Sequence, residues 1–320
     1  MDLRLYDAHN HLQDARLAPH REAILAALQR EGVASMVVNG SCEADWPEVL
    51  ALARLFGAGV AADGSRRIPS QPKMAPTAVG GYAPSADRAE HEPSGPARGH
   101  PRSIASFGYH PWYVKERSPD WQQALLRYLD AVPSAVGEVG LDRWVKDHDL
   151  EQQQQVFVWQ LRLAAERNLP VSIHCLQAWG ALLDILRKEP RPGCGFLLHS
   201  YGGAPELVAP LTELGAYFSL PGYFAHERKT RQREAFRQVP SDRLLIETDA
   251  PDQLLPAERV QYPLTDSASG KPINHPANLG AVYRFAAELR NEPLETLART
   301  VEENFQRLFE TVLQPPTVRE

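Results

Sequence analysis

Eight short apolar segments, each followed by a stretch of helical spacing or a turn-rich loop, constrain the fold of this chain more than any other feature. They are Leu5 to His11, Val33 to Asn39, Ser103 to Phe107, Ser134 to Glu138, Leu169 to Ile173, Gly195 to Leu198, Ala216 to Leu220 and Arg243 to Glu247. Runs such as Met36-Val37-Val38 are apolar at successive positions, the pattern of a strand buried on both faces. Between the strands, His20 to Glu31 spaces Ile24, Leu25, Ala27 and Leu28 as one buried stripe and stops at Gly32. Asp45 to Phe56, Pro119 to Asp130, Leu150 to Arg167, Gln177 to Lys188, Pro205 to Leu214 and Arg228 to Gln238 read the same way, with tail helices at Asn278 to Arg290 and Leu294 to Leu308. This alternation predicts an α/β fold, a (β/α)8 TIM barrel over residues 1–320. A doubly wound open sheet is the alternative, but the Gly-rich dinucleotide turn it often carries is absent.

The alternation breaks between Gly57 and Arg102, where 7 Gly and 7 Pro fall in 46 residues without a sustained period. Such a segment buries too little apolar surface to offset its ordering entropy, so a flexible insertion in the barrel is expected, with His91 and His100 solvated. A net charge of −6 argues against a surface that holds nucleic acid or anionic membrane by bulk positive charge. A polyanionic substrate would need a metal or a local basic rim. Cys42, Cys175 and Cys194 are too few and too irregular for a disulfide framework or a C-x-x-C zinc site. With no leader-like start and no apolar run of spanning length, the expected compartment is the cytoplasm, and no membrane or stable protein partner is expected.

Barrel enzymes carry their chemistry at the carboxyl ends of the strands. Here those ends hold Asp7, His9 and His11, then Glu138, His174, His199 and Asp249. Any one alone could be a satisfied structural group. An apolar strand has little reason to end repeatedly in an imidazole or carboxylate unless the groups converge, because burying them unpaired is costly. His9 and His11 share a face in an extended segment, and Asp7 falls on it too. So many donors exceed what one tetrahedral ion takes, and a carboxylate such as Glu138 can bridge two. Two divalent ions are therefore expected, with Zn, Mg or Mn all compatible with the donors. Asp249 is the candidate to accept a proton from the attacking water, and Glu138 the other catalytic carboxylate. No P-loop, H-E-x-x-H or G-x-S-x-G sequence competes with this reading.

The residues then carry a resemblance. Asp7-Ala8-His9-Asn10-His11, Gly108-Tyr109-His110-Pro111, Gly137-Glu138-Val139-Gly140-Leu141-Asp142, His174, His199-Ser200, Glu247-Thr248-Asp249-Ala250-Pro251 and Asn304 to Phe309 resemble, in order, the landmarks of the TatD family of metal-dependent hydrolases. The resemblance implies a (β/α)8 barrel with one or two divalent ions and deoxyribonuclease activity of the 3′–5′ exonuclease type, with DNA as substrate. It makes His9, His11, Glu138, His174, His199 and Asp249 the metal ligands and His110 a residue that holds the substrate phosphate.

Two departures touch the substrate and leave the metal shell alone. Where the family has an arginine shortly after the fifth-strand histidine, this chain reads His174-Cys175-Leu176-Gln177-Ala178. Where it has Asn-Glu-Pro before the last helices, this chain reads Asn274-His275-Pro276. An amide or ester hydrolase, such as a deacylase of charged transfer RNA, is the first alternative, and a non-catalytic barrel that binds a partner is the second. Trp112, Trp179, Tyr201 and Tyr223 fall just beyond strand ends, where they either stack on a base or pack the mouth. Alternation turns Cys175 away from His174, as expected of a core thiol.

Overall fold

The structure is a computed structural model that describes residues 3–56, 99–147 and 149–313. Its centre is an eight-stranded parallel sheet: β1 Leu5–Asn10, β2 Val33–Asn39, β3 Arg102–Phe107, β4 Ser134–Asp142, β5 Val171–Leu176, β6 Phe196–Leu198, β7 Ala216–Pro221 and β8 Leu244–Glu247. Each strand pairs with the next in chain order, the order of a (β/α)8 barrel. The helices between them are α1 Arg21–Arg30, α2 Trp46–Phe56, α3 Trp121–Ala131, α4 Leu150–Arg167, α5 Trp179–Lys188, α6 Val208–Glu213 and α7 Thr230–Gln238. A short hairpin, β9 Pro263–Thr265 and β10 Pro272–Asn274, precedes α8 Leu279–Arg290 and α9 Leu294–Leu313. Among the described residues no helix is long and apolar enough to cross a membrane.

The sheet closes where β8 meets β1. Just past β8, the Asp249 N–H donates to the His9 carbonyl at 3.0 Å, and the His11 N–H donates to the Ala250 carbonyl at 2.8 Å. Asp7 completes this seam with its side chain, accepting from the Thr248 N–H at 2.9 Å and the Thr248 hydroxyl at 2.6 Å. Outside the seam, Tyr283 of α8 accepts from the Tyr6 N–H at 2.9 Å and donates to the Tyr6 carbonyl at 3.0 Å.

Two strands run further than their sequence pattern predicts. β4 continues to Asp142 and β5 to Leu176, so Glu138 and His174 sit within strands rather than at their ends. The reason is Gly140, paired with His174 across the ladder at a φ of 141°. A Cβ there would lie 1.9 Å from the His174 carbonyl oxygen, so only glycine lets the two strands stay together past Glu138. The β9–β10 hairpin was not foreseen, because its strands are three residues each and mostly exposed at β9. The predicted insertion lies outside the described residues except for 99–102, where Arg102 already opens β3. His100 is exposed and meets Phe56 edge-on at 5.5 Å.

α9 covers the seam from outside. Its buried stripe, Leu297, Ala298, Val301, Asn304, Phe305, Leu308, Phe309 and Val312, recurs every three or four residues. Phe305 packs on Tyr6 of β1 at a ring distance of 4.9 Å. The one polar member, Asn304, donates to the Ser241 carbonyl at 2.7 Å and the Leu244 carbonyl at 2.8 Å, fixing where β8 starts. Asn304→Ala is expected to lower unfolding stability by about 1–3 kcal/mol, since the Leu244 carbonyl is buried and would lose its side-chain donor. Urea denaturation measures this, and a loss under about 0.5 kcal/mol would place the Asn304 contacts outside the ordinary cost of a lost buried hydrogen bond.

Candidate metal centre

His9, His11, Glu138, His174, His199 and Asp249 meet in two groups that share one carboxylate. On one side His9 Nε2, His11 Nε2, Glu138 Oε2 and Asp249 Oδ1 face one another. His9 Nε2 lies 3.3 Å from His11 Nε2, 3.5 Å from Glu138 Oε2 and 3.7 Å from Asp249 Oδ1, while His11 Nε2 lies 3.4 and 3.6 Å from the same two oxygens. Four nitrogen and oxygen donors about 2.1 Å from a tetrahedral centre stand about 3.4 Å apart, so this set has the spacing of a metal site. On the other side Glu138 Oε1 lies 3.1 Å from His174 Nδ1, 2.8 Å from His199 Nε2 and 3.2 Å from His110 Nε2. His174 Nδ1 and His199 Nε2 are 3.2 Å apart. His9, His199 and Asp249 also bring donors together across the two sides.

Three of the four imidazoles, those of His9, His11 and His174, are turned by a partner on the far nitrogen, the arrangement that would leave a lone pair for an ion. His11 Nδ1 lies 2.7 Å from the Asn39 carbonyl, which can only accept, so its N–H points there and Nε2 is free to ligate. His9 Nδ1 lies 2.8 Å from Ser172 Oγ, and His174 Nε2 lies 3.0 Å from Asp142 Oδ2. His199 Nδ1 is the exception: it is buried, lacks a hydrogen-bond partner, and stands 3.8 Å from Glu247 Oε1. Asp249 is aimed by Gln253, whose amide donates to Oδ2 at 2.7 Å and leaves Oδ1 to the cluster.

The electrostatics also ask for cations. Burial pushes the Glu138 carboxyl up, yet His110 and His199 beside it outweigh burial and hold it well below the usual carboxylate range. Burial likewise opposes charge on His11, but Glu138 and Asp249 push it up to about 9, and Glu138 draws His199 well above the ordinary imidazole value. A buried carboxylate thus gathers protons on its neighbours, in the place where divalent ions would supply positive charge. The donor set is the imidazole and carboxylate mixture that such ions take.

His110 belongs to the cluster but differs from the other imidazoles. Its Nδ1 accepts from the Trp112 N–H at 3.1 Å, so its neutral ring carries the proton on Nε2, the nitrogen facing Glu138. That nitrogen can donate a hydrogen bond but has no lone pair for an ion. Burial holds its pKa down at about 4, despite Glu138.

Other expectations from the sequence separate here. Asp7 is not in the cluster: its carboxylate is spent on Thr248, the His9 N–H and the Asn10 amide, and the pairing of β1 with β2 shifts register after Asp7. Tyr201 is fully buried, its hydroxyl on the Ala204 carbonyl, so it packs the mouth and offers no face to a base. Trp179 packs on Tyr201, and Tyr223 is engaged by Arg228 and Lys229. Cys175 is buried and its thiol is pushed up by burial, as a core thiol should be. Asp142 is the residue that sequence reasoning passed over, although its spacing from Glu138 along β4 puts both on one face.

Asp142 accepts from the His174 ring and from the Trp112 indole. Asp142→Ala is expected to weaken metal binding about 10–100-fold, because the His174 ring would lose the partner that orients it. Calorimetric titration of the metal-free protein with Zn²⁺ or Mn²⁺ reads the change, and unaltered affinity would remove His174 from the ligand set.

The model of the family described as TatD related DNase matches residues 96–310, more than half of the chain. The 3′-5′ ssDNA/RNA exonuclease TatD of Escherichia fergusonii is 33% identical over 216 residues, which cover 67% of this chain and 80% of that protein. An uncharacterized metal-dependent hydrolase of Escherichia coli K12, YcfH, is 35% identical over 64% of this chain and 73% of its own. The crystal structure of YJJV, a TatD homolog from the same organism, superposes with a TM-score of 0.73 at 25% identity, covering 97% of this chain and 99% of that one. The chain therefore belongs to the TatD-related DNase family of metal-dependent hydrolases.

Proposed function

We propose that this protein is a metal-dependent deoxyribonuclease that removes nucleotides from the 3′ end of single-stranded DNA. The carrying observation is the division of Glu138, with Oε2 serving the His9–His11 side and Oε1 serving the His174–His199 side. One carboxylate split between two imidazole groups supports a binuclear centre, held by His9, His11, Glu138, His174, His199 and Asp249. The 33% identity to a protein named as a single-strand exonuclease supports the choice of substrate.

Two bound divalent ions, Zn, Mg or Mn, would acidify water and offset charge on a phosphoryl oxygen. The chain's own groups do the rest. In the metal-free protein burial pushes the Asp249 carboxyl up to about 7 against the pull of His199 and His11. Its Oδ1 faces the cluster and takes the proton of the water that attacks phosphorus. His110 Nε2–H donates to a phosphate oxygen, aimed by the Trp112 N–H bonded behind it. The bond cleaved is phosphorus to the 3′ oxygen of the preceding nucleotide, which takes up the proton that Asp249 accepted and leaves as an alcohol, and the released product is a 5′-mononucleotide.

The alternative of an acyl hydrolase is favoured by one observation, the apolar Leu176 where the resemblance implies a phosphate-pairing cation. The two are separated by digesting 3′- and 5′-labelled single-stranded oligonucleotides with Mg²⁺, Mn²⁺ or Zn²⁺, beside a panel of carboxyl esters and aminoacylated transfer RNA. Stepwise shortening from the 3′ end, abolished by chelator, is expected. Asp249→Asn should reduce the rate by about 10²–10⁴-fold with folding intact. Turnover of acyl substrates alone would overturn the nuclease reading, and a rate unaffected by chelator or by Asp249→Asn would overturn the proposed centre.

A further inference from the structure

Three of the four exposed large apolar side chains among the described residues lie in one sector of the barrel mouth. Trp112 follows β3, Trp144 follows β4 and Leu176 ends β5, with 48%, 65% and 37% of their surface open. The fourth, Leu55, is away on α2.

Trp112 is fixed in place. Its indole Nε1–H donates to Asp142 Oδ2 at 2.7 Å, the oxygen that also holds His174 Nε2 at 3.0 Å. Its ring stands at 90° to His110, with centroids 5.1 Å apart. The single N–H of the indole is therefore used within the protein, while nearly half of the side chain stays open. What remains on offer is an oriented π face beside two residues of the site, with no donor or acceptor of its own. A planar heteroaromatic ring is the partner such a face selects, since every base presents a π face and stacking makes no demand on its hydrogen-bonding edge. Leu176 extends the apolar character to the end of β5.

We propose that Trp112 is the stacking platform for the unpaired base of the nucleotide being removed, a specificity-determining residue of the site. This rests on the nuclease reading above. It favours an unpaired terminal base, which is free to turn its face onto the indole, over one held in place by a complementary strand.

The test compares wild type with Trp112→Ala and Trp112→Phe on two oligonucleotides, one intact and one abasic at its 3′-terminal nucleotide. KM and kcat are measured with Mn²⁺, and binding of the fluorescein-labelled strands is measured by anisotropy without metal. For the intact strand, Trp112→Ala should raise KM and the dissociation constant about tenfold, whereas Trp112→Phe keeps a stacking face and should stay within about threefold of wild type. Wild type should lose about the same factor on the abasic strand, and Trp112→Ala should lose nothing further there. Equal weakening of both strands by Trp112→Ala, or equal damage by the two variants, means that the indole acts only by holding Asp142, and overturns the stacking role alone. A wild type that neither binds nor cuts either strand overturns the nuclease reading together with this one.

Discussion

The seam between β8 and β1 is the contact on which both the barrel and its site depend. The bonds that close the sheet there involve the backbone of His9, His11, Asp249 and Ala250, so the residues that close the cylinder also present three of the six metal-ligand candidates. Asp7 and Thr248 supply the side-chain half of the same closure. A barrel that opened by one strand would separate His9 and His11 from Asp249, whereas Glu138, His174 and His199 would stay on a continuous β4–β5–β6 ladder. The two halves of the centre therefore differ in what maintains them. One relies on tertiary closure reinforced by α9, and the other on local strand pairing.

Glu138 joins those halves, and its energetics explain why the cluster is so densely imidazole. A carboxylate buried to this degree stays ionised only if positive charge or donors surround it. Four histidines approach its two oxygens within about 3.5 Å, and His110 makes a fifth. Placing the carboxylate inside β4 rather than at its end requires the neighbouring strand to come close, and Gly140 meets that requirement by having no side chain. The glycine and the glutamate of the Gly-Glu-Val-Gly-Leu-Asp stretch thus answer one demand, a charged group held in the wall of a tightly paired sheet.

The barrel was legible because its strands are buried on both faces and its helices on one, and these two periods differ sharply. Leu150 to Arg167 was read with the bounds the structure gives, helped by Asp149 capping its first turn and Asn168 ending it. The metal-ligand candidates were legible for a similar reason: a strand-end rule converts linear spacing into a place in space. Asp7 escaped that rule. Alternation puts it with His9, yet the register shift in β1 and the pull of Thr248 turn it into the seam. Asp142 was equally hidden, because its role depends on which nitrogen of His174 it faces, and that is set by the pairing of two strands distant in sequence. The aromatics divide by the same logic. Nothing near Tyr201 in the chain says that Phe218 and Trp179 will enclose it, and nothing near Trp112 says that a carboxylate from the next strand will fix its ring.

Asp142 shows why the metal-ligand candidates and the rim of the mouth are not independent. Its Oδ1 accepts from the Trp144 N–H at 2.7 Å and the Val145 N–H at 3.2 Å, and its Oδ2 accepts from His174 and Trp112. Four donors use the acceptor capacity of a carboxylate, so no room remains for a water or a substrate group to compete. The same saturation holds the Asp142 carboxyl down at about 2: burial raises it, but the bonds from His174 and Trp112 and the charge of His174 prevail. An ionised, fully engaged carboxylate has one low-energy orientation, and every group bonded to it inherits that orientation. The turn after β4, the ring of His174 and the plane of Trp112 are consequently set together. Rim and imidazole therefore meet at one shared oxygen, and the three remaining donors keep the Asp142 carboxylate in place when the indole bond alone is lost.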